Sequence, residues 1–221
     1  MWGSKMLSKG QEKLLQEAAH HYAQAVSEEA LAYLAGRGIS EETAARYRLG
    51  TITDPIEGHQ GYEGWIAIPY FTALDICVGF KFRRLDDGKP KYGAPVGQKS
   101  HLYNVAATLS PTKSIVICEG EFDAIVMEAN CGIPAVGVPG VAAWKPHFPK
   151  LFSGYETIYI VGDNDVKEDG SNPGAEFAKR VANEVMNSVI VTLPPSMDIN
   201  DYYLAHGADA TRALLIGESN V

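Results

Sequence analysis

Acidic side chains follow two apolar stretches of this sequence at the point where each stretch ends. Glu119 comes directly after residues 114–118 (SIVIC), and Asp163 and Asp165 follow residues 157–161 (TIYIV) and a glycine. Continuous apolar stretches of this length are typical of strands in a parallel sheet that is covered on both faces. The carboxyl ends of such strands meet at the edge where these folds bind their ligands, so we expect the three carboxylates to converge there.

Three carboxylates at one edge of a sheet would repel one another, and each would resist ionising. Divalent cations between them would remove that conflict, and ligation by oxygen alone suits Mg²⁺ or Mn²⁺. Read singly, each acid could instead be a helix cap or a solvated loop residue. Taken together, they predict a catalytic metal site with Glu119, Asp163 and Asp165 as ligands.

The residues around these acids match the sequence pattern of a known domain. Residues 119–124 (EGEFDA) match the pattern Glu-Gly-x-x-Asp-Ala, and residues 163–165 (DND) match Asp-x-Asp. Both patterns, in this order, resemble the Toprim domain of DnaG-type primases, topoisomerases and related nucleases. The resemblance implies that Asp123 supports or shares the metal ions.

A third acidic segment strengthens the resemblance. Residues 197–203 (MDINDYY) are similar to the Lys-Asp-x-Asn-Asp-Leu segment of phage-type Toprim primases, with Met197 in place of the lysine. Asn200 stands where the bacterial form has its second acid. The similarity implies that Asp198 is a further metal ligand or supports one.

Basic residues cluster before the acidic half of the chain. Between positions 76 and 101 there are six lysines and arginines and two aspartates, although the whole chain of 221 residues has a net charge of -8. In the predicted strand 76–84, Phe80 and Phe82 face one way while Lys81 and Arg83 face the other. Such alternation is also typical of the solvent-facing side of any strand. Its position beside a metal-type acid cluster favours contact with a polyanion.

This basic block resembles the polymerase-domain signature of DnaG-type primases, in which an arginine on a strand precedes Pro-Lys-Tyr and a further lysine precedes Leu-Tyr. Residues 33–40 (YLAGRGIS) also resemble the entry to that domain, between helices that Ser27 and Ser40 are expected to cap. The resemblance implies a set of nucleic-acid or nucleotide contacts. They are Arg37, Lys81, Arg83, Arg84, Lys91, Tyr92 and Lys99.

The three cysteines exclude two classes of site. Cys77, Cys118 and Cys131 lack Cys-x-x-Cys spacing, so the chain offers neither a disulfide framework nor a zinc site, and we expect buried free thiols. There is no signal-peptide pattern and no apolar run near eighteen residues. We therefore expect a protein without membrane association, in the cytoplasm of a bacterial host if a phage encodes it.

The predicted fold class is α/β. A loose terminus (1–10) is followed by a mixed α+β basic subdomain (11–109) and then by a Toprim subdomain with a Rossmann-like parallel sheet (110–221). The resemblance covers both subdomains and implies the catalytic core of a DnaG-type primase without zinc-binding or helicase modules.

The function implied is template-directed synthesis of RNA primers in DNA replication. Its substrates would be single-stranded DNA and ribonucleoside triphosphates, and its cofactor Mg²⁺ or Mn²⁺ without zinc. A separate zinc-module or helicase protein would complete template selection. Two alternatives stay open, a Toprim-type metal-dependent nuclease and a non-catalytic nucleic-acid-binding replication factor.

Overall fold

A computed structural model describes residues 7–217 of the chain. The chain divides into two compact units. The N-terminal unit comprises the residues up to Gly36 together with Ser40–Lys99, and the C-terminal unit comprises Arg37–Ile39 together with the residues from Ser100 onwards. The boundary predicted between residues 109 and 110 stays a prediction. In the structure, Leu102 and Ala107 are part of the core of the C-terminal unit.

Among the described residues, the N-terminal unit has three α-helices: α1 (Lys9–Gln24), α2 (Glu28–Ala35) and α3 (Glu41–Arg46). Each begins after a serine whose side chain accepts a hydrogen bond from a backbone N–H of the first turn. The caps predicted at Ser27 and Ser40 are thus confirmed. Helix α1 begins two residues earlier than expected because Ser8 and Gln11 form a capping box. The rest of the predicted loose terminus, residues 1–6, lies outside the described residues.

An antiparallel sheet packs against α1. Its strands, in spatial order, are β1 (Gly50–Thr51), β2 (Ile66–Phe71), β3 (Cys77–Arg83) and β4 (Tyr92–Gly93). Phe80 and Phe82 of β3 are fully buried with Tyr22 of α1, as the alternation predicts. Gly50 of β1 pairs with Ala67 of β2. A Cβ there would lie 1.9 Å from the carbonyl oxygen of Tyr22, so only glycine allows this approach.

The C-terminal unit contains the predicted parallel sheet. Its strands, in spatial order, are β6 (Ala135–Gly137), β5 (Ser114–Cys118), β7 (Thr157–Val161) and β8 (Ser188–Val191), and every pair is parallel. Its helices are α4 (Glu121–Ala129), α5 (Pro173–Ala182) and α6 (Ile199–Gly217). In the register of β5 and β7, Cys118 lies opposite Val161. The loops that follow these two strands therefore start side by side.

The C-terminal unit also has shorter and irregular elements. Between β6 and β7 the chain forms 3₁₀ turns at Val141–Ala143 and Phe148–Phe152. Helix α6 contains Gly207 at φ 80°, which bends it into two segments. Within residues 7–217, no helix is long and apolar enough to cross a membrane.

Candidate active site

Glu119 and Asp163 meet at the carboxyl edge of the parallel sheet. Glu119 is the residue after β5, and Asp163 follows β7 by one glycine. The backbone N–H of Asp163 donates a hydrogen bond of 3.1 Å to Oε2 of Glu119. The convergence expected from two adjacent parallel strands is therefore realised for this pair.

Helix α5 begins directly against these acids. A Cβ on Gly174, in its first turn, would lie 2.0 Å from the carbonyl oxygen of Asp163 and 2.8 Å from Oε2 of Glu119. Only a residue without a side chain lets the helix come this close. The positive end of the helix dipole consequently lies beside the two carboxylates, where it favours their charged forms.

The acids strongly perturb one another. Burial, followed by the charges of Glu119, Asp198 and Asp165, raises the pKa of Asp163 to about 7. Burial, followed by the charges of Asp163 and Asp198, raises the pKa of Asp123 well above its ordinary value. The five predicted acids therefore form one electrostatic cluster, which is most crowded when no cation is present.

Asp198 is held by Arg37, although 161 positions separate them in the sequence. Nη1 of Arg37 lies 2.7 Å from Oδ2 of Asp198, and both belong to the C-terminal unit. Burial raises the pKa of Asp198, whereas a hydrogen bond from the backbone of Asp201 and the charge of Arg37 lower it. Arg37, which is predicted to contact nucleic acid or nucleotide, thus forms an ion pair with Asp198. Its direct contact with a substrate stays a prediction.

The structural role of Asn200 was not predicted from the sequence. Asn200 is 1% exposed, and its Nδ2 donates to the carbonyl oxygens of Arg37 at 2.7 Å and Phe122 at 3.5 Å. An aspartate at this position would have only acceptors to place against two carbonyl oxygens. The presence of an asparagine where the bacterial form has an acid was the available signal.

The donor set suits a hard divalent cation. All five side chains offer carboxylate oxygens, and Oδ1 of Asp123 is buried without a hydrogen-bond partner among the described residues. No three His, Cys, Asp or Glu side chains in residues 7–217 are already arranged as a closed metal site. The assignment of Glu119, Asp163 and Asp165 as ligands of such an ion stays a prediction.

The predicted basic face of β3 is partly covered by aromatic rings of the N-terminal unit. Arg83 is only 8% exposed, because its guanidinium lies 5.1 Å from the ring centre of Tyr33 and 5.0 Å from that of Tyr92. Its Nε donates to the hydroxyl of Tyr33 at 2.8 Å, and its Nη1 donates to the carbonyl of Lys91 at 3.3 Å. The expected solvent-facing arginine is therefore a packed one.

The other cations of this strip lie nearer to solvent. Nζ of Lys81 lies 4.4 Å from the ring centre of Tyr92, which is itself 37% exposed. Arg84 stacks on Trp65 at 4.6 Å and is paired with Asp86. Lys91 and Lys99 are exposed. Lys81, Arg83 and Arg84 are thus held in place by aromatic rings.

Comparison with known proteins agrees with this geometry. A Toprim domain model matches residues 114–209. The gene 57 protein of Mycobacterium phage D29 is 44% identical over 153 residues, which cover 67% of this chain and 96% of that protein. Curated bacterial DNA primases, such as that of Deinococcus radiodurans, match at 25–28% identity.

Solved structures share the fold over nearly the whole chain. The zinc-binding and RNA polymerase domains of Aquifex aeolicus primase give a TM-score of 0.78 at 18% identity, covering 96% of this chain and 62% of that one. A DnaG primase catalytic domain bound to ssDNA gives 0.74 at 18% identity, covering 93% and 78%. The chain spans 27–40% of the length of the curated bacterial primases. This chain therefore contains a Toprim domain, has the fold of DnaG-type primase catalytic cores, and belongs to the family of the gene 57 protein of Mycobacterium phage D29.

Proposed function

We propose that this chain synthesises short RNA primers on single-stranded DNA by metal-dependent nucleotidyl transfer. The observation that carries the proposal is the acid cluster at the carboxyl edge of the parallel sheet. There the Asp163 backbone N–H lies 3.1 Å from Oε2 of Glu119, and burial, followed by the charges of the neighbouring acids, raises the pKa of Asp163 to about 7. A cluster of carboxylates with raised pKa values is typical of a site that holds divalent cations beside a substrate phosphate.

The metal ligands in this proposal are Glu119, Asp163 and Asp165, with Asp123 and Asp198 supporting or sharing the ions. Bound Mg²⁺ or Mn²⁺ would supply the positive charge that activates a primer 3′-hydroxyl and neutralises the departing pyrophosphate. Asp163 must lose its proton before it can act as a ligand, so its raised pKa makes cation binding weaker below neutral pH.

Arg37 has two tasks in this scheme. It neutralises Asp198 while the site is empty of cations, since their charged atoms lie 2.7 Å apart. Once cations take over that neutralisation, its guanidinium would be available to a phosphate of the nucleotide or template. Asn200, by holding the backbone of Arg37, keeps the guanidinium within reach of the acids.

The cations of the N-terminal unit would bind template and incoming ribonucleoside triphosphate. Lys81, Lys91 and Lys99, with Arg84, supply positive charge for phosphates. Tyr92 offers a partly exposed ring on which a base could stack, an interaction worth roughly 1–3 kcal/mol. Arg83 holds the ring of Tyr92 and the carbonyl oxygen of Lys91 in place. In this proposal its packed guanidinium would also contact a bound strand.

A related catalytic domain has been solved bound to ssDNA, which supports a single-stranded template here. A separate zinc-module or helicase protein would supply template selection. Such an enzyme would work where phage DNA is replicated, in the cytoplasm of the bacterial host.

The test is incubation of the protein with labelled ribonucleotides, Mg²⁺ and a single-stranded DNA template. Wild-type protein should make short RNA, and Glu119→Gln and Asp165→Asn should make none while remaining folded. Glu168→Gln is the matched control, because it neutralises an exposed acid in the same loop. Shortened template in place of new RNA would favour the nuclease alternative. Template binding without either product would favour a non-catalytic replication factor.

A further inference from the structure

The residue between the two acids of the Asp-x-Asp motif is tied to a second loop. Asn164 donates from its Nδ2 to the carbonyl oxygen of Leu193 at 2.6 Å, and from its backbone N–H to the carbonyl oxygen of Met197 at 3.1 Å. Its own carbonyl oxygen accepts from the backbone N–H of Ser196 at 2.8 Å. Three hydrogen bonds therefore join the loop after β7 to the segment that leads into Asp198.

The same side chain is also tied to a helix. Oδ1 of Asn164 accepts a hydrogen bond of 2.7 Å from Nδ2 of Asn172. Asn172 is the N-cap of α5, and its Oδ1 accepts from the backbone N–H of Ala175 at 3.0 Å. A chain of two amides thus runs from the start of α5 through the Asp-x-Asp loop to the carbonyl of Leu193.

The direction of each amide is dictated by its partners. A backbone carbonyl can only accept, so Nδ2 of Asn164 must face Leu193, and its oxygen is left for Asn172. The oxygen of Asn172 must in turn face the N–H at the helix start. Each position needs a donor and an acceptor on one short side chain, and asparagine supplies both.

The amides connect loops that repel each other. The charge of Asp198 is among the causes of the raised pKa of Asp163, and Asp165 is a further cause. Before a cation binds, this repulsion favours separation of the two acid-bearing loops. Hydrogen bonds between the loops oppose that separation. Because both amide side chains are neutral, they add no further charge to the acid cluster.

We propose that Asn164 and Asn172 are positioning residues that hold the acid-bearing loops together for cation binding. Neither touches the substrate or the ion; both act through Asp163, Asp165 and Asp198. The proposal rests on the proposed function only in assigning those acids to a cation. Losing one hydrogen bond of this kind should weaken cation binding about 5-fold, and losing the whole clamp about 10- to 100-fold.

The decisive variant is Asn172→Ser. Serine caps helices as well as asparagine does but is too short to reach Asn164, so the helix start is kept and the link is removed. Asn164→Ala removes both side-chain contacts of the other amide. Asn183→Ala, at the exposed far end of α5, makes the same chemical change away from the acids.

Binding of Mn²⁺ alone is measured by electron paramagnetic resonance, with urea unfolding of each protein in EDTA alongside. We expect Asn172→Ser to bind Mn²⁺ about 5-fold more weakly, with only a small decrease in its unfolding midpoint because one hydrogen bond is lost, and Asn183→Ala to bind as wild type does. The double variant should bind no more weakly than Asn164→Ala, because the two amides form one clamp. Unchanged Mn²⁺ affinity in Asn172→Ser and Asn164→Ala, or losses that multiply in the double variant, would overturn the proposal.

Primer synthesis by the wild type is assayed separately, which keeps the two conclusions apart. A wild type that binds Mn²⁺ but makes no RNA, with the variants weakened as expected, refutes the proposed function and supports the clamp. A wild type that makes RNA, with variants that bind Mn²⁺ normally, refutes the clamp alone. A wild type that binds no Mn²⁺ overturns the clamp as a device for cation binding.

Discussion

Replacing Asp163 with asparagine should stabilise the metal-free protein. In the folded state burial is the largest cause, ahead of neighbouring acids, of a pKa raised from 3.8 to about 7. One pKa unit corresponds to about 1.4 kcal/mol, so full ionisation of this carboxyl would cost the folded state about 4 kcal/mol. The side chain is partly exposed, and solvent screening reduces the expected cost to about 2 kcal/mol.

The effect has a defined pH window. Because the folded-state pKa of Asp163 is the higher one, the folded protein holds more protons than the unfolded chain between about pH 4 and pH 7. Wild-type stability is therefore lost as pH rises through that window. Asparagine does not ionise, so the variant should equal wild type near pH 4 and exceed it by about 2 kcal/mol at pH 8.

The measurement is urea unfolding in EDTA at several pH values. Glu168→Gln, which neutralises an exposed acid of the same loop, should follow wild type throughout. Added Mg²⁺ at about a hundred times its Kd should reverse the order at pH 8, because it stabilises only the protein that binds it, by about 2.7 kcal/mol. A variant less stable than wild type in EDTA at pH 8, or a difference that does not change with pH, would refute the argument.

Two further predictions concern the N-terminal unit. His59 is 2% exposed and burial lowers its pKa to about 4, so wild type should lose up to about 3 kcal/mol of stability as pH falls from 6.5 to 4. Urea unfolding of His59→Gln should show a smaller loss over the same range, and an equal loss would count against burial as the cause. Lys91→Ala should weaken binding to single-stranded DNA and flatten its salt dependence by about 0.7 unit of slope. The control is Lys13→Ala, which removes an exposed lysine of α1. If the salt dependence of binding has the same slope in both variants, Lys91 is only a solvated surface residue.

Structural features that are set by residues close together in the chain could be predicted from the sequence. The strands at 114–118 and 157–161 were predictable because runs of branched apolar residues fit only a covered sheet. The caps at Ser27, Ser40 and Asn172 were predictable because their side chains bond to backbone groups three residues away. The motif resemblance added the Toprim domain and the fold of a primase catalytic core, which the comparisons confirm.

The surroundings of the arginines could not be read in this way. Arg37 and Asp198 are 161 positions apart, and Arg83 and Tyr33 are 50 apart. A guanidinium has five donors and a flexible stem, so it can equally well face a phosphate, a carboxylate or an aromatic ring. The choice depends on which groups the fold brings beside it.

The acids themselves could be identified from the residues that follow each predicted strand, and the order of parallel strands places them at one edge of the sheet. How those acids are held depends on contacts between segments that lie far apart in the chain. Asn164 and Asn172 are ordinary loop and cap residues in the sequence, because an amide has no charge and no periodic pattern to mark it. Their part emerges when two loops and a helix start lie within hydrogen-bond distance, since each hydrogen bond depends on separations of about 3 Å that no local pattern specifies.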